Sequence, residues 1–310
     1  MSSSVSTADA SPAASGPAAA GPSGAGIAEP APLEGWRSGD LVALRAELDR
    51  IDNGLHDLLM QRARVVEYVG RSGKPAAFRP GREASIIRRL LGRHNGALPP
   101  ASVVRIWREL LAGTTAMQGG FSLAVRDADQ GALLTQLTRE HFGALTPLRG
   151  YASAAQALRD VARGTDSVAV LPYPSETDSW WVALLHHEPR LHIVGRLPFW
   201  KPRPEGAPSA QALVVASTQA DASEADQSLL GFECNGDVSR EGLSSALSEA
   251  GLTQQSMVVV RQPGSAVASV LVEVAGYLCD DDPRLSRLDT LPRRPIVLGC
   301  YAVPVGGGAR

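Results

Sequence analysis

The stretch LVALRAELDRIDNGLHDLLMQRARVVEYVG, residues 41–70, decides the fold of the first third of the chain. Its large apolar residues alternate at spacings of three and four, the seam of a helix that packs along another helix. The seam positions are Leu41, Leu44, Leu48, Ile51, Leu55, Leu58, Val65 and Val69. Asp40 is a candidate N-cap, and Gly73 and Pro75 break the pattern beyond Gly70. We therefore predict one long helix.

Two further helices follow. One begins near Pro80, where proline suits a first helical turn, and ends near Asn95–Gly96. The next opens at Pro99–Pro100 and ends at Gly119–Gly120. We predict an all-α domain of three helices at residues 39–119.

The pattern changes at Phe121 to alternating short apolar runs and helical segments. We predict an α/β lobe at residues 120–205, with strands at FSLAV (121–125), SVAVLP (167–172) and LHIVGRL (191–197). Residues 206–305 contain the strand ALVVAS and then a βαββαβ pattern. Its members are LLGFEC, a helix at Ser239–Ala250, SMVVV, ASVLVEV, a short helix at Leu285–Leu291 and PIVLGCYAVPV.

Composition excludes several classes of protein. Charged residues are 20% of the chain and the formal net charge is −2, so no overall electrostatic footprint indicates nucleic acid or membrane partners. No apolar run reaches the roughly 18 residues of a membrane span. Residues 1–38 are rich in Ser, Ala, Pro and Gly and lack a basic start and an apolar core. We predict a disordered tail, no secretory signal and a cytoplasmic location.

Neither the cysteines nor the histidines have the spacing of a metal site. Cys234, Cys279 and Cys300 are odd in number and far apart, which predicts reduced, buried or half-buried thiols. The other candidate ligands are His186, His187, Glu188 and His192. Because they form no ordered ligand set, we interpret them as surface and turn residues. We expect no metal and no cofactor.

Arg62 lies on the apolar seam itself, where burial of a cation is costly unless an anion meets it. The alternative is a side chain that reaches water or pairs with a neighbouring carboxylate. Arg45, beside the seam 17 residues earlier, would lie about 25 Å away on the same helix. One small ligand cannot touch both in one chain, whereas an antiparallel partner could bring them together. Alone, Arg45 is an ordinary surface charge.

The segment RPGRE, residues 79–83, gathers Arg79, Arg82 and Glu83 at the start of the second helix. The helix dipole disfavours cations there, which a bound anion would reverse; the alternative is an exposed charged turn. Thr114 and Gln118, spaced i, i+4, share a face at the end of the third helix, which alone indicates a polar helix end. Taken together, these groups suit a compact dianion with an ether oxygen and a hydroxyl rather than hydrolysis.

Three segments carry a family resemblance: residues 41–69, RPGREASIIRRLL (79–91) and RIWRELLAGTTAMQ (105–118). In this order they resemble the all-helical chorismate mutase family, in the form fused to prephenate dehydratase. The resemblance implies that chorismate rearranges to prephenate without a covalent intermediate, in phenylalanine and tyrosine biosynthesis. It implies further that the domain holds the reactive conformer and stabilises charge on the ether oxygen.

The resemblance also implies an intertwined dimer and a role for each candidate residue. Arg45 of a partner subunit and Arg62 would bind the two carboxylates, with Thr114 assisting. Glu83 would accept the ring hydroxyl, and Gln118 would donate to the ether oxygen.

Three further roles rest on less direct matches to the family motifs. Arg79 and Arg82 would line the substrate site. The family lysine that joins the glutamine at the ether oxygen aligns with Gly73; a shift by one residue supplies Lys74, and Arg71 is the other candidate. Without such a cation, several kcal/mol of barrier stabilisation would be lost.

The C-terminal half resembles prephenate dehydratase and its amino-acid-sensing ACT domain. The first matches through AVLPYPSETDSWWVALLHHEPRLHIVGRLP (169–198), and the second through VLVEVAGYLCDDD (270–282) and LGCY (298–301). The catalytic Thr-Arg-Phe motif is replaced by Gln211-Ala212-Leu213, and the second lobe is missing, so we expect no dehydratase activity. Arg240-Glu241-Gly242-Leu243 and Arg261-Gln262-Pro263 replace the effector motifs.

Two functions remain at this point. The first is an active, homodimeric chorismate mutase with a non-catalytic C-terminal region. The alternative is a non-catalytic chorismate-binding or regulatory protein of the shikimate pathway, which the altered lysine position favours.

Overall fold

The computed structural model describes residues 41–71, 78–127, 132–261, 264–288, 291 and 293–306. Predictions for residues 1–38, for Asp40, for Gly73 and Lys74, and for Gln262 and Pro263 lie outside these ranges. The chain divides into two compact units, Met1–Leu58 and Leu59–Arg310. No helix among the described residues is long and apolar enough to cross a membrane.

Three helices open the described chain, as the apolar periodicity predicts. They are α1 (Leu41–Arg71), α2 (Pro80–Gly92) and α3 (Pro100–Ala116). Proline occupies the first turn of both α2 and α3, where its missing N–H costs no hydrogen bond. Helix α1 contains no buried residue, so its apolar seam is exposed on the single chain.

An α/β region follows, as predicted. Its helices are α4 (Leu133–Phe142), α5 (Ala154–Ala162) and α6 (Arg240–Glu249). Its strands are β1 (Leu123–Arg126), β2 (Leu148–Tyr151), β3 (Val168–Pro172), β4 (His192–Leu197), β5 (Ala212–Ala216), β6 (Asp226–Asn235), β7 (Gln254–Arg261), β8 (Val267–Ala275) and β9 (Ile296–Ala302). These strands form a nine-stranded sheet in the order β2-β1-β3-β5-β4-β9-β6-β8-β7.

Three details of the α/β region differ from expectation. Strand β2, with the sequence LRGY, was not predicted because it has no apolar alternation. A 3₁₀ helix at Trp180–His186 adds a further element. The short helix predicted at Leu285–Leu291 is a 3₁₀ turn at Leu285–Arg287.

The two predicted C-terminal modules share this sheet. Strand β5, grouped by sequence with residues 206–305, pairs antiparallel with both β3 and β4. The two halves of the sheet meet where Ile193 of β4 pairs in parallel with Gly299 of β9. A Cβ at residue 299 would lie 2.1 Å from the carbonyl oxygen of Ile193, and the φ angle there is +147°. Only glycine tolerates that approach and that backbone conformation.

Helices α2 and α3 pack against the α/β region through a small apolar core. Ile87, Val104 and Leu111 are buried there together with Phe199 and Ala302. The carboxylate of Glu109 also accepts the backbone N–H of Ala144 at 2.9 Å. Helices α2 and α3 are therefore anchored to the sheet region.

Candidate functional site

Arg62 and Thr114 meet between α1 and α3. The Arg62 Nη1 donates to the Thr114 Oγ1 at 3.3 Å. Thr114 is buried, and its hydroxyl lies 2.9 Å from the carbonyl oxygen of Leu110, to which it donates. Burial lowers the pKa of Arg62, and the carboxylate of Glu83 opposes that shift. The guanidinium keeps donors for a further anion, because one hydroxyl cannot satisfy five N–H groups.

Glu83 joins this cluster from α2 and is paired with a residue that the sequence analysis missed. The Arg108 Nη1 donates to the Glu83 Oε2 at 3.0 Å, with side chains 5% and 13% exposed respectively. Burial raises the pKa of Glu83 against the opposing charge of Arg108. Burial also lowers the pKa of Arg108 to about 10, so this guanidinium stays charged near neutral pH.

The sequence contained a signal for Arg108. It lies at i+4 from Val104 and i−3 from Leu111, both buried on the inner face of α3. A cation on an apolar helical face requires an anion, the same argument that singled out Arg62.

The anion expected at the start of α2 comes from the chain itself. Asp221, which follows β5, accepts the backbone N–H of Gly81 at 3.0 Å and that of Arg82 at 3.1 Å. The Arg79 Nη2 also donates to Asp221 at 3.1 Å. The carboxylate thus caps the helix and offsets the unfavourable cation there. A Cβ at Gly81 would lie 2.0 Å from the Asp221 carbonyl oxygen, so glycine is required.

Gln118 lies just beyond α3 and is exposed. The end of α1 runs beside it, since a Cβ at Gly70 would be 3.4 Å from the Gln118 Cγ. Arg71, one candidate for the family cation, forms an ion pair with Glu67. The other candidate, Lys74, lies outside the described residues.

The remaining sequence-predicted site residues are less constrained. The side chain of Arg82 is exposed. Arg45 is exposed in the first compact unit. The structure thus brings Arg62, Thr114 and Glu83 together and leaves Arg79 bound to Asp221.

The cysteines and histidines considered in the sequence analysis do not belong to the cluster of Arg62, Thr114 and Glu83. Cys234 and Cys300 are buried and free, as expected, whereas Cys279 is exposed, contrary to expectation, because it follows β8 in a surface turn. Within the described ranges, no group of three His, Cys, Asp or Glu side chains is arranged to hold a metal ion. His186 lies 3.4 Å from Glu233 and His187 contacts the Pro189 carbonyl. His192, contrary to expectation, is buried, because it begins strand β4 inside the sheet.

The residues that replace family motifs in the C-terminal half hold local structure. The Gln211 side-chain oxygen accepts from Arg196 at 3.1 Å. Arg196 forms an ion pair with the buried Glu273 at 2.9 Å. Arg261 donates to the carbonyl oxygens of Gly236 and Val238.

Comparisons with known proteins agree with the helical domain. Residues 44–119 match the family model described as chorismate mutase type II. A bifunctional chorismate mutase/prephenate dehydratase of Pseudomonas aeruginosa is 27% identical over 146 residues, which are 44% of this chain and 40% of that protein. The aligned part thus spans less than half of that relative.

Two solved structures also align, both with a TM-score of 0.44. The quorum-quenching acylase GqqA is 18% identical and aligns over 59% of this chain and 96% of its own. Prephenate dehydratase from Streptococcus mutans is 11% identical and aligns over 58% of this chain and 97% of its own.

Proposed function

We propose that this chain is a chorismate mutase of aromatic amino acid biosynthesis, converting chorismate to prephenate within residues 44–119. The observation that carries the proposal is the cluster of Arg62, Thr114 and Glu83. These residues come from three helices of the domain that matches the chorismate mutase type II family. A cation, a hydroxyl and a carboxylate at one place suit a substrate with carboxylate and hydroxyl groups.

Each group has a role in this proposal. Arg62 and Thr114 bind one carboxylate of chorismate. Arg108 occupies Oε2 of Glu83, and Oε1 has no hydrogen-bond partner among the residues that the structure covers, so it accepts the ring hydroxyl. Arg82, at the start of α2, adds a positive charge that attracts the anionic substrate. Arg79, sequestered by Asp221, contributes by holding α2 in place rather than by touching substrate.

The chemistry is a concerted rearrangement. The ether C–O bond breaks as a C–C bond forms, and negative charge grows on the ether oxygen. The Gln118 amide donates to that oxygen, and either Lys74 or Arg71 is the second donor. Fixing the reactive conformer supplies further rate acceleration, and a preformed donor at the developing charge is worth about 3–4 kcal/mol.

The proposed active unit is a homodimer. The seam of α1 exposes large side chains, among them Leu48 (60% exposed) and Leu55 (54% exposed). An apolar stripe of this length is stable in water when another helix covers it. The partner helix, running antiparallel, would supply its Arg45 to the second carboxylate of chorismate.

We propose that the C-terminal region adds no dehydratase step. Gln211 stands where the family motif is expected, and its side chain is bound to Arg196. Arg196 in turn forms an ion pair with Glu273. The Glu273 carboxylate also accepts hydrogen bonds from Tyr173 at 3.1 Å and from Ser256 at 2.8 Å. A carboxylate satisfied by three partners supports a structural role.

The test is the loss of chorismate absorbance with purified protein, followed by acid conversion of prephenate to phenylpyruvate. Arg62→Ala should lower kcat/KM by at least about 100-fold, because a charge-assisted carboxylate contact is lost. Arg64→Ala is the matched control, an exposed arginine two residues away on the same helix. Lys74→Ala and Arg71→Ala distinguish the two candidates for the second donor.

The outcomes separate the two candidate functions. Prephenate formed by the wild type and by Arg64→Ala, but not by Arg62→Ala, would support the mutase. A folded protein that binds chorismate without turnover would favour the non-catalytic alternative. Phenylpyruvate formed before acidification would overturn the assignment of the C-terminal region.

A further inference from the structure

A cavity of about 270 Å³ lies between α3, α4 and residues 198–207, apart from the cluster of Arg62 and Thr114. Its walls are mostly apolar and include Val104, Leu137, Phe199 and Trp200. Small-molecule sites combine such walls with a few polar groups that fix orientation. The volume suits a ligand with one ring and a short substituent.

Three arginines line this cavity, and two of them are incompletely paired. The lining includes Arg105, Arg108 and Arg203. The Arg203 Nη1 pairs with Glu140 at 2.7 Å, but its Nε and Nη2 are buried without a hydrogen-bond partner in the described structure. The Nε of Arg108, on a side chain only 5% exposed, is buried and unpartnered in the same way. Buried guanidinium nitrogens without acceptors are costly.

The charge balance favours a monoanion. Three arginines line the cavity, where Glu140 pairs with Arg203 and Glu83 pairs with Arg108. His141, also in the lining, adds no charge near neutral pH, because burial lowers its pKa well below the usual value and Arg108 adds to that shift. At least one positive charge thus remains for a ligand.

We propose that this cavity is a binding site for a small aromatic monocarboxylate, held by Arg203 and Arg108 and packed against Phe199 and Trp200. The carboxylate supplies the missing acceptors in the fork geometry that guanidinium groups favour. The flat apolar body lies among the apolar walls. The Arg108 guanidinium already lies 4.6 Å from the centre of the Phe199 ring, so cation and aromatic surface are held side by side.

Arg108 connects this site to Glu83. A carboxylate on Arg108 weakens the attraction that keeps Glu83 ionised, and the pKa of Glu83 rises further. Ligand binding would therefore move the loss of mutase activity in acid to a higher pH. This coupling rests on the proposed function, whereas the binding itself does not.

Isothermal titration calorimetry of the full chain with phenylacetate tests the site, and benzyl alcohol is the neutral comparison. We expect one phenylacetate per chain and binding at least about tenfold weaker for the alcohol. Arg203→Gln should weaken phenylacetate binding by about tenfold or more. Glu140→Gln should tighten it, because a competing carboxylate is removed while the cation stays.

Two further variants keep the test independent of folding. Ala207→Leu fills the cavity without changing its charge and should abolish binding, whereas Arg163→Gln, at an exposed arginine, should not. No heat with either probe, equal binding of both probes, or unchanged binding by Arg203→Gln would each overturn the proposal. Binding without any change in the pH profile of chorismate turnover would overturn only the coupling.

Discussion

Two arginines, the half-buried Arg62 and the buried Arg108, show how single residues organise the helical domain. Arg62 and Arg108 both lie on apolar helical faces, and both act on Glu83. Removing one partner of a buried pair leaves an uncompensated charge. The carboxylate is therefore positioned by charges on two other helices, which makes it sensitive to pH and to substitution.

Activity should depend on the ionisation of Glu83. Burial raises its pKa above the ordinary value of 4.5, and the protonated form no longer accepts a hydrogen bond on both oxygens. Turnover of chorismate should therefore fall as the pH drops through that raised pKa. Glu83→Gln should lose about 10-fold or more in kcat/KM and show a flat profile between about pH 5 and 8. An unchanged acid limb in Glu83→Gln would contradict this role.

Arg108→Met should destabilise the protein by about 3 kcal/mol, because it leaves Glu83 buried and unpaired. Urea denaturation measures the loss. Arg108→Met combined with Glu83→Gln should recover part of it, since no unpaired charge remains. If the double variant is as unstable as the sum of the single variants, the ion pair is not the cause.

At the scale of elements, residues of the C-terminal half bind α2 at two places, its first turn and Arg88. Asp221 caps its first turn. Arg88, further along the helix, donates to the carbonyl oxygens of Ser223, Ala225 and Val303 at 2.7–2.8 Å. The position of Glu83 therefore depends on a segment about 140 residues away in sequence.

Asp221→Ala should destabilise the protein by about 1–2 kcal/mol, because it removes the helix cap and a favourable charge at the helix N-terminus. Thermal unfolding provides the measurement. Asp237→Ala is the control, because Asp237 is exposed. Asp160 does not serve, since it accepts a hydrogen bond from Tyr151. Equal melting temperatures for Asp221→Ala and Asp237→Ala would show that the cap is dispensable.

At the scale of the whole molecule, the exposed seam of α1 contrasts with the well-buried sheet region. The sheet packs against α4, α5 and α6 around three buried apolar cores formed by the chain itself. Helix α1 has no comparable cover on the described chain. We therefore expect assembly to act through α1 rather than through the sheet.

Leu55→Glu should convert the proposed dimer to a monomer and abolish turnover, because a charge on the seam prevents burial against a partner helix. Light scattering coupled to size-exclusion chromatography measures the mass. Val42→Glu is the control, an exposed position away from the seam. A wild-type monomer with full activity would overturn the shared-site arrangement.

The order and type of most elements followed from sequence because their signals are local. The seam of α1, the prolines that open α2 and α3, and the apolar runs of the strands depend on near neighbours in the chain. Arg62 could be singled out for the same reason, because its departure from the pattern is visible within one helix. The match of residues 44–119 to a family follows from the same local order.

The tertiary structure alone decided the contacts between distant segments. Three such contacts are the pairing of Arg108 with Glu83, the cap by Asp221 and the position of β5 between β3 and β4. The local sequence around each residue does not predict its partner. The same is true of the cavity at Arg203. Ion pairs and strand neighbours are chosen by the geometry of the folded chain, whereas helices and apolar faces are determined by spacing within a few residues.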